Sequence, residues 1–346
     1  MRRIALWFVI GLASLLTTNL CLAQTQLDRQ RQLFIAAEKA LKSGQHASFA
    51  QHIRQLKSYP LKPYLELAQL KRRFSQIPQN DIQHFLQEYQ STPLADMLRR
   101  SWLDYLARQQ RWASYLKFYT PQKSIRRQCQ HLQALIRTGQ SQKAWSSAQK
   151  IWLHGRSRPT ACDPVFKAWE KAGKLTHSLR WQRIELAMNA RKLKLARYLG
   201  KPFSQQDAAW LQRWIDLRRN PRNTLHKEDF SNQHPYREKM LAYGIKRMVA
   251  TGDLQALPLW LKLKQQYPFS KELIRLTERR MALSLERYSS QAAYTFIKQQ
   301  QAQASDERLQ LAQLRAALLR QDWPQVLHTL NTWPDDRKNT EQARYW

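Results

Sequence analysis

The sequence predicts an all-α fold, an imperfect α-solenoid built as a superhelix of helical hairpins, and three observations carry that prediction. Only 8 glycines occur in 346 residues, while Leu, Gln, Arg, Ala and Lys, all good helix formers, dominate and β-branched runs are scarce. Apolar residues recur at helical spacing throughout, and no segment alternates cleanly at period two. Short pauses fall at Ser43-Gly44, Thr138-Gly139, Ala172-Gly173, Thr251-Gly252 and Gln321-Asp322. Each lies between periodic segments of roughly 10–16 residues, ordinary lengths for helices in globular proteins.

Taken in order, the chain opens on Arg2 and Arg3, an apolar run from Ile4 to Leu16, and Cys21-Leu22-Ala23. A cationic start, a short apolar stretch and small residues at −3 and −1 describe a cleavable export signal over 1–23, with a mature domain over 24–346. The apolar run is too short to span a bilayer comfortably and is interrupted by Thr17, Thr18 and Asn19, so no stable membrane span is expected after cleavage. Bulky Leu20 before Cys21 argues against a lipoprotein signal.

Leu98, Trp102, Tyr105 and Leu106 stand at i, i+4, i+7 and i+8, and Trp112, Tyr115, Leu116 and Tyr119 at i, i+3, i+4 and i+7, with Arg108 to Arg111 between. That is a helix, a tight turn and a second helix. Gly139 and Gly173 are 34 residues apart, the period of a tetratricopeptide-like pair, although other spacings are irregular. Such arrays bury one face of each hairpin against its neighbours and offer an extended surface instead of one deep pocket. The aromatic stripes are read as packing. Gly200-Lys201-Pro202 and Asn220-Pro221-Arg222-Asn223 are local breaks, and no Gly/Ser-rich or Pro-rich linker marks a domain boundary.

Removing the signal leaves two cysteines, Cys129 and Cys162. In an oxidising compartment an even pair suggests one bridge, closing a loop of about 34 residues and worth roughly 3–4 kcal/mol in the loop-entropy model. Two buried free thiols are the other reading.

Known chemistries fail on inspection. The histidines show no His-Glu-x-x-His spacing, neither cysteine has a Cys-x-x-Cys partner, and there is no Gly-rich phosphate loop or nucleophile elbow, so neither a metal site nor a cofactor is expected. Glu228-Asp229 reads as a solvated helix end, and Lys71-Arg72-Arg73, the one run of three cations, as a solvated helix face. The net charge of +33 falls to +31 without Arg2 and Arg3. Its basic residues spread along the helices, giving a field that draws polyanions over about a Debye length. Export and the lack of a binding motif argue against nucleic acid as the partner.

Ser58-Tyr59-Pro60-Leu61-Lys62-Pro63-Tyr64-Leu65-Glu66 resembles a stretch near the start of periplasmic soluble lytic murein transglycosylases. Gly139-Gln140-Ser141 with Ala144-Trp145, then Trp152-Leu153-His154-Gly155, Ala161-Cys162-Asp163, Phe166, Trp169, Arg183-Ile184 and Leu186-Ala187-Met188 resemble that family in order and spacing. Cys129, after Gln128, is similar to its partner cysteine. The resemblance covers most of 27–346, strongest from 58 to 190. Arg344-Tyr345-Trp346 is similar to a family word that opens a helix, beyond which family chains continue.

The resemblance implies the amino-terminal superhelical, U-shaped domain of an enzyme that, in relatives, cleaves the β-1,4 bond between N-acetylmuramic acid and N-acetylglucosamine and leaves a 1,6-anhydro ring. That chemistry needs one carboxyl group that protonates the glycosidic oxygen and then deprotonates the sugar's 6-hydroxyl. The family places it in a Glu-Ser word ahead of Gly-Leu-Met-Gln. Neither word occurs, and none of the glutamates from Glu38 to Glu341 precedes serine. This chain is therefore expected to carry no catalytic residue: it is the scaffold portion, with the catalyst beyond Trp346 or lost. The expected partner is peptidoglycan in the periplasm, with a catalytic domain or cell-wall enzyme in trans as a further partner. The alternative is a stand-alone periplasmic helical-repeat protein that binds murein or a cell-wall enzyme.

Overall fold

The structure is a computed structural model and describes residues 26–288, 290–300, 306–338 and 341. The export signal and Arg344-Tyr345-Trp346 lie outside the described residues. Among those described there are helices, turns and loops but no strand, as the composition predicts.

Two compact units form, interleaved in sequence: residues up to Trp152 with Arg158–Thr176, and Leu153–Ser157 with His177 onward. The sequence reads as one uninterrupted array because no linker separates them. Gly200-Lys201-Pro202 and Asn220-Pro221 fall inside the second unit as turns between its helices.

The first unit holds α1 over 26–42, α2 His46–Gln55, α3 Lys62–Arg72, α4 Gln79–Glu88, α5 Pro93–Arg108, α6 Trp112–Phe118, α7 Ile125–Arg137 and α8 Ser141–Trp152. A 3-10 turn, Thr160–Cys162, then leads into α9 Asp163–Lys171. The second unit holds α10 His177–Asn189, α11 Leu193–Gly200, α12 Gln205–Arg219, α13 Pro221–Lys227, α14 Arg237–Ala250 and α15 Ala256–Gln266. It continues with α16 Lys271–Leu285, α17 Gln291–Lys298, α18 Glu307–Leu319, α19 Trp323–Asn331 and α20 Asp335–Lys338.

Packing is local, which is what makes this a solenoid. Consecutive helices pack as hairpins, and every second helix also meets its counterpart two along: α3 on α5, α5 on α7 and α7 on α9 in the first unit, α12 on α14, α14 on α16 and α16 on α18 in the second. This second set of contacts runs through odd-numbered helices in one unit and even-numbered helices in the other.

α5 shows how sequence produces such a helix. Thr92 caps it, its Oγ1 accepting from the Leu94 N–H at 3.3 Å; Pro93 begins it, and Asp96 and Arg108 sit at the ends the helix dipole favours. Leu94, Leu98, Trp102, Leu103 and Leu106 form its buried stripe. Around Trp102 gather Phe74, Tyr105 and Phe118, with ring centroids 5.1, 5.3 and 5.9 Å away. Trp169, Trp181, Trp210, Trp214 and Trp260 are likewise buried, so the aromatic stripes are core. Truncating one of them to alanine is worth about 3–5 kcal/mol.

One turn recurs between hairpin helices. At Gly44, Gly139, Gly173 and Gly252 φ lies between 68° and 83°. In each case this N–H bonds the carbonyl three residues back and the next N–H the carbonyl five back, as Gly139 to Ile136 at 3.3 Å and Gln140 to Leu135 at 2.8 Å. This double closure satisfies helix-end carbonyls and turns the chain within two residues. Gln110, Arg191 and Gln321 make the same turn at φ 54°, 60° and 55° without glycine. The turn at 108–111 and the pauses at the four glycines and Gln321 stand where the sequence places them; the turn at Arg191 had no glycine to announce it. α6 stops at Phe118, one residue short of the expected Tyr119, which is already extended at ψ 133° as the chain approaches Pro121.

Candidate functional site

The residues that carry the family resemblance are divided between the two units, and several of those in the first lie on the helices around Cys129. Cys129 on α7 and Cys162 at the 3-10 turn are wholly buried and joined as a disulfide, with Cα atoms 4.9 Å apart. At the end of α8 Trp152 packs edge-on to Phe166 at 5.0 Å and tilted against Trp169 at 5.9 Å, joining α8 to α9. Arg158 donates from Nε to the Ile151 carbonyl at 2.8 Å, returning the loop to the end of α8. Gly155 is held against α10, where a Cβ would stand 2.3 Å from the Leu186 carbonyl oxygen. Ile184, Ala187 and Met188 are fully buried and Arg183 nearly so. These words encode packing.

The earlier stretch does the same work. Tyr59 is buried against Phe34 at 5.6 Å, Pro63 starts α3, and Leu65 enters the core. Glu66 pairs with Lys62 at 3.1 Å and accepts the Tyr89 hydroxyl at 2.9 Å. Lys71-Arg72-Arg73 is only partly a solvated face: Arg72 bonds the Leu41 carbonyl, and that of Lys42 at 3.2 Å, and so caps the end of α1. Glu228 and Asp229 are exposed at the end of α13, Glu228 pairing with Arg213 at 3.2 Å and Asp229 with Ser231 at 2.8 and 2.9 Å.

Surface chemistry lies elsewhere, mostly on side chains the sequence does not single out. In the first unit two hollows of about 270 and 370 Å3 share Tyr119. The first is lined by the end of α4, Arg99 of α5, the end of α6 and Thr120; the second by Pro121, Gln122, α7 and α8. Tyr119 stacks on His131, the rings 3.8 Å apart and 5° from parallel, and burial holds that imidazole below its ordinary pKa.

In the second unit Asp207 gathers polar groups within an aromatic cluster. Its carboxylate accepts from Ser204 Oγ at 3.0 Å and Trp181 Nε1 at 3.3 Å, and faces His177 Nε2 at 3.1 Å and His234 Nε2 at 3.7 Å. His234 lies against Trp210, with centroids 4.8 Å apart and planes 21° from parallel. Burial pushes Asp207 upward, but these donors outweigh it and hold the carboxyl below its usual range. A sugar-cleaving acid needs the opposite shift. The other carboxylates whose environment moves them, Asp229, Asp253, Glu272, Asp306 and Asp322, are all moved down as well.

Fold and site together define an all-helical hairpin array with a disulfide in its first unit, a basic surface and no carboxyl tuned as an acid among the described residues that shift. A family model described as Cucumovirus coat protein matches residues 128–234, under a third of the chain. Matches to another family span nearly all of it. The chain is 28% identical over 344 residues to the soluble lytic murein transglycosylase of Escherichia coli K12, covering 96% of this chain and 52% of that relative. It is 30% identical over 222 residues to the protein of that name from Salmonella typhimurium, covering 63% of this chain and 34% of the relative. Among solved structures, the inactive mutant of the lytic transglycosylase Slt of Pseudomonas aeruginosa superposes with a TM-score of 0.77 at 26% identity, over 91% of this chain and 51% of that one. A 70-kDa soluble lytic transglycosylase in complex with bulgecin A superposes at 0.74 and 27% identity, over 92% and 52%.

The resemblance read from the sequence is borne out: this chain is a relative of the soluble lytic murein transglycosylases. It spans about half the length of the curated relatives it matches. No helix among the described residues is long and apolar enough to cross a membrane.

Proposed function

We propose that this chain is the non-catalytic superhelical scaffold portion of a peptidoglycan lytic transglycosylase, exported to the periplasm by residues 1–23 and acting on murein. The carrying observation is the match that spans 96% of this chain but only 52% of a transglycosylase relative. The missing Glu-Ser word supports it, as do carboxylates shifted away from acid function. On this reading the array positions a catalyst and holds murein, a polymer whose peptide carboxylates complement a net charge of +33, or +31 once Arg2 and Arg3 leave with the signal. The catalytic group is supplied by further residues or in trans.

Pelleting of the purified chain with murein sacculi at low and high salt, with assay of the supernatant for 1,6-anhydro-muropeptides, tests this. The expected result is salt-sensitive pelleting without anhydro products. Release of anhydro products by this chain alone overturns the non-catalytic role, and failure to pellet overturns murein binding. The alternative, a stand-alone periplasmic binder, is distinguished by the size of the native polypeptide in a periplasmic extract: a band much larger than the encoded chain excludes it.

A further inference from the structure

We infer that the paired hollows around Tyr119 form a binding subsite for an N-acetylated oligosaccharide that carries carboxylates, a disaccharide-peptide of murein. The inference rests on the scaffold reading above and adds where on the chain the glycan is held and by which side chains.

The lining chemistry is the first ground. Carboxamides come from Gln83 and Gln87 on α4 and from Gln128 on α7. Each offers a carbonyl acceptor and an NH2 donor, the complement of an acetamido group or a sugar hydroxyl. Tyr119 and His131 add a stacked aromatic wall, an apolar face with polar edges suited to the C–H face of a pyranose. Arg99, Lys117 and Lys150 supply positive charge, and neither lining contains an Asp or Glu. Arg99 leans on Asp96 at 3.4 Å; Lys117 and Lys150 are exposed and have no ion-pair partner among the described residues. Ammonium groups without carboxylate neighbours invite an anionic ligand, whereas the amides and rings would be idle toward a purely acidic peptide.

Rigidity is the second ground. Three consecutive residues of α7 are tethered beneath the second hollow. Arg127 grips Asp104 of α5 through Nε and an Nη at 3.0 and 2.8 Å, Gln128 donates to the Gln122 carbonyl at 2.6 Å, and Cys129 is bonded to Cys162. The link from Thr120 to Gln122 is pinned in turn, Gln122 donating to the Thr120 carbonyl at 3.0 Å. Side chains held this way lose little freedom on binding. By contrast, the hollow of about 560 Å3 in the second unit includes Glu228 in its lining, a carboxylate that would oppose an anionic ligand.

The test titrates the full chain by calorimetry with disaccharide-tetrapeptide, with free tetrapeptide and with uncharged N-acetylglucosamine oligomers. Lys117→Glu and Lys150→Glu, both on exposed side chains, are expected to weaken disaccharide-tetrapeptide binding about tenfold each, since an attraction becomes a repulsion. Lys171→Glu, an exposed change of equal charge on α9, should leave it within about twofold. Both simpler ligands should bind more weakly than the disaccharide-tetrapeptide. Wild-type affinity in the Lys117 and Lys150 variants overturns the subsite. So does a free peptide that binds as tightly as the disaccharide-tetrapeptide, which would mark an acidic-peptide site. If those variants still pellet with sacculi like wild type, the subsite falls and the scaffold reading stands. If the wild-type chain binds neither sacculi nor disaccharide-tetrapeptide, both fall.

Discussion

Three substitutions separate backbone strain from steric crowding in the turns of this array: Gly139→Ala, Gln110→Gly and Gly155→Ala. At Gly139 φ is 81° and a Cβ would meet nothing within 4 Å, so alanine pays only for the left-handed backbone, about 1–2 kcal/mol. Gln110 makes the same double-bonded turn at φ 54° and already carries that strain. Glycine there relieves about 1–2 kcal/mol but adds about 0.4–1 kcal/mol of unfolded-state entropy, for a net gain of about 0.5–1 kcal/mol. At Gly155 a Cβ would lie 2.3 Å from the Leu186 carbonyl oxygen and 2.9 Å from its carbon. Those are backbone atoms of a packed helix that cannot swing aside, and the cost is about 3 kcal/mol or more. Urea unfolding followed by tryptophan fluorescence, checked by amide exchange near each turn, reads all three. If Gly139→Ala costs as much as Gly155→Ala, the open space at Gly139 is wrong. If Gln110→Gly lowers stability, left-handed strain is not what these turns store.

Three further outcomes are expected. Pairing Cys129→Ala with Cys162→Ala should lower stability by about 3–4 kcal/mol, because the bridge closes a chain separation of 33 residues, and reducing agent should shift the urea midpoint of wild type but not of the double variant. His131 is held below its ordinary pKa by burial, and His234 by burial against the pull of Asp207. Stability from the neutral rings is complete above the unfolded value near 6.5 and lost as pH falls through the lowered folded values, so His131→Gln and His234→Gln should flatten the drop in unfolding midpoint between pH 7 and 5. Arg72→Ala should free the Leu41 and Lys42 carbonyls at the end of α1, cost about 1 kcal/mol and speed amide exchange there.

Much of the fold was legible because it is written in local terms. A glycine between two periodic stretches signals a left-handed closing residue, and Gly44, Gly139, Gly173 and Gly252 all serve that way. Arg191 closes an equivalent turn unannounced, since an arginine forced to positive φ leaves no trace in composition. The family words were legible too, and Trp152, Phe166, Trp169 and Gly155 proved to specify packing. Tyr119 illustrates the reverse case. By spacing it belongs to the buried stripe of α6, but the approach to Pro121 ends the helix and sends its ring to the wall shared by two hollows.

By itself the sequence determined an all-helical array, the places where most hairpins turn, the kinship with lytic murein transglycosylases and the lack of their Glu-Ser word. Each of these depends on residues within one helical turn of each other or on an ordered set of words. Only the tertiary structure decided that the array packs as two units, that Arg72 caps a helix about 30 residues earlier, and that amides of α4 and α7 and lysines of α6 and α8 line neighbouring hollows. Helical periodicity says which face of a helix is buried. Which exposed side chains become neighbours depends on how successive hairpins stack, and no single segment encodes that.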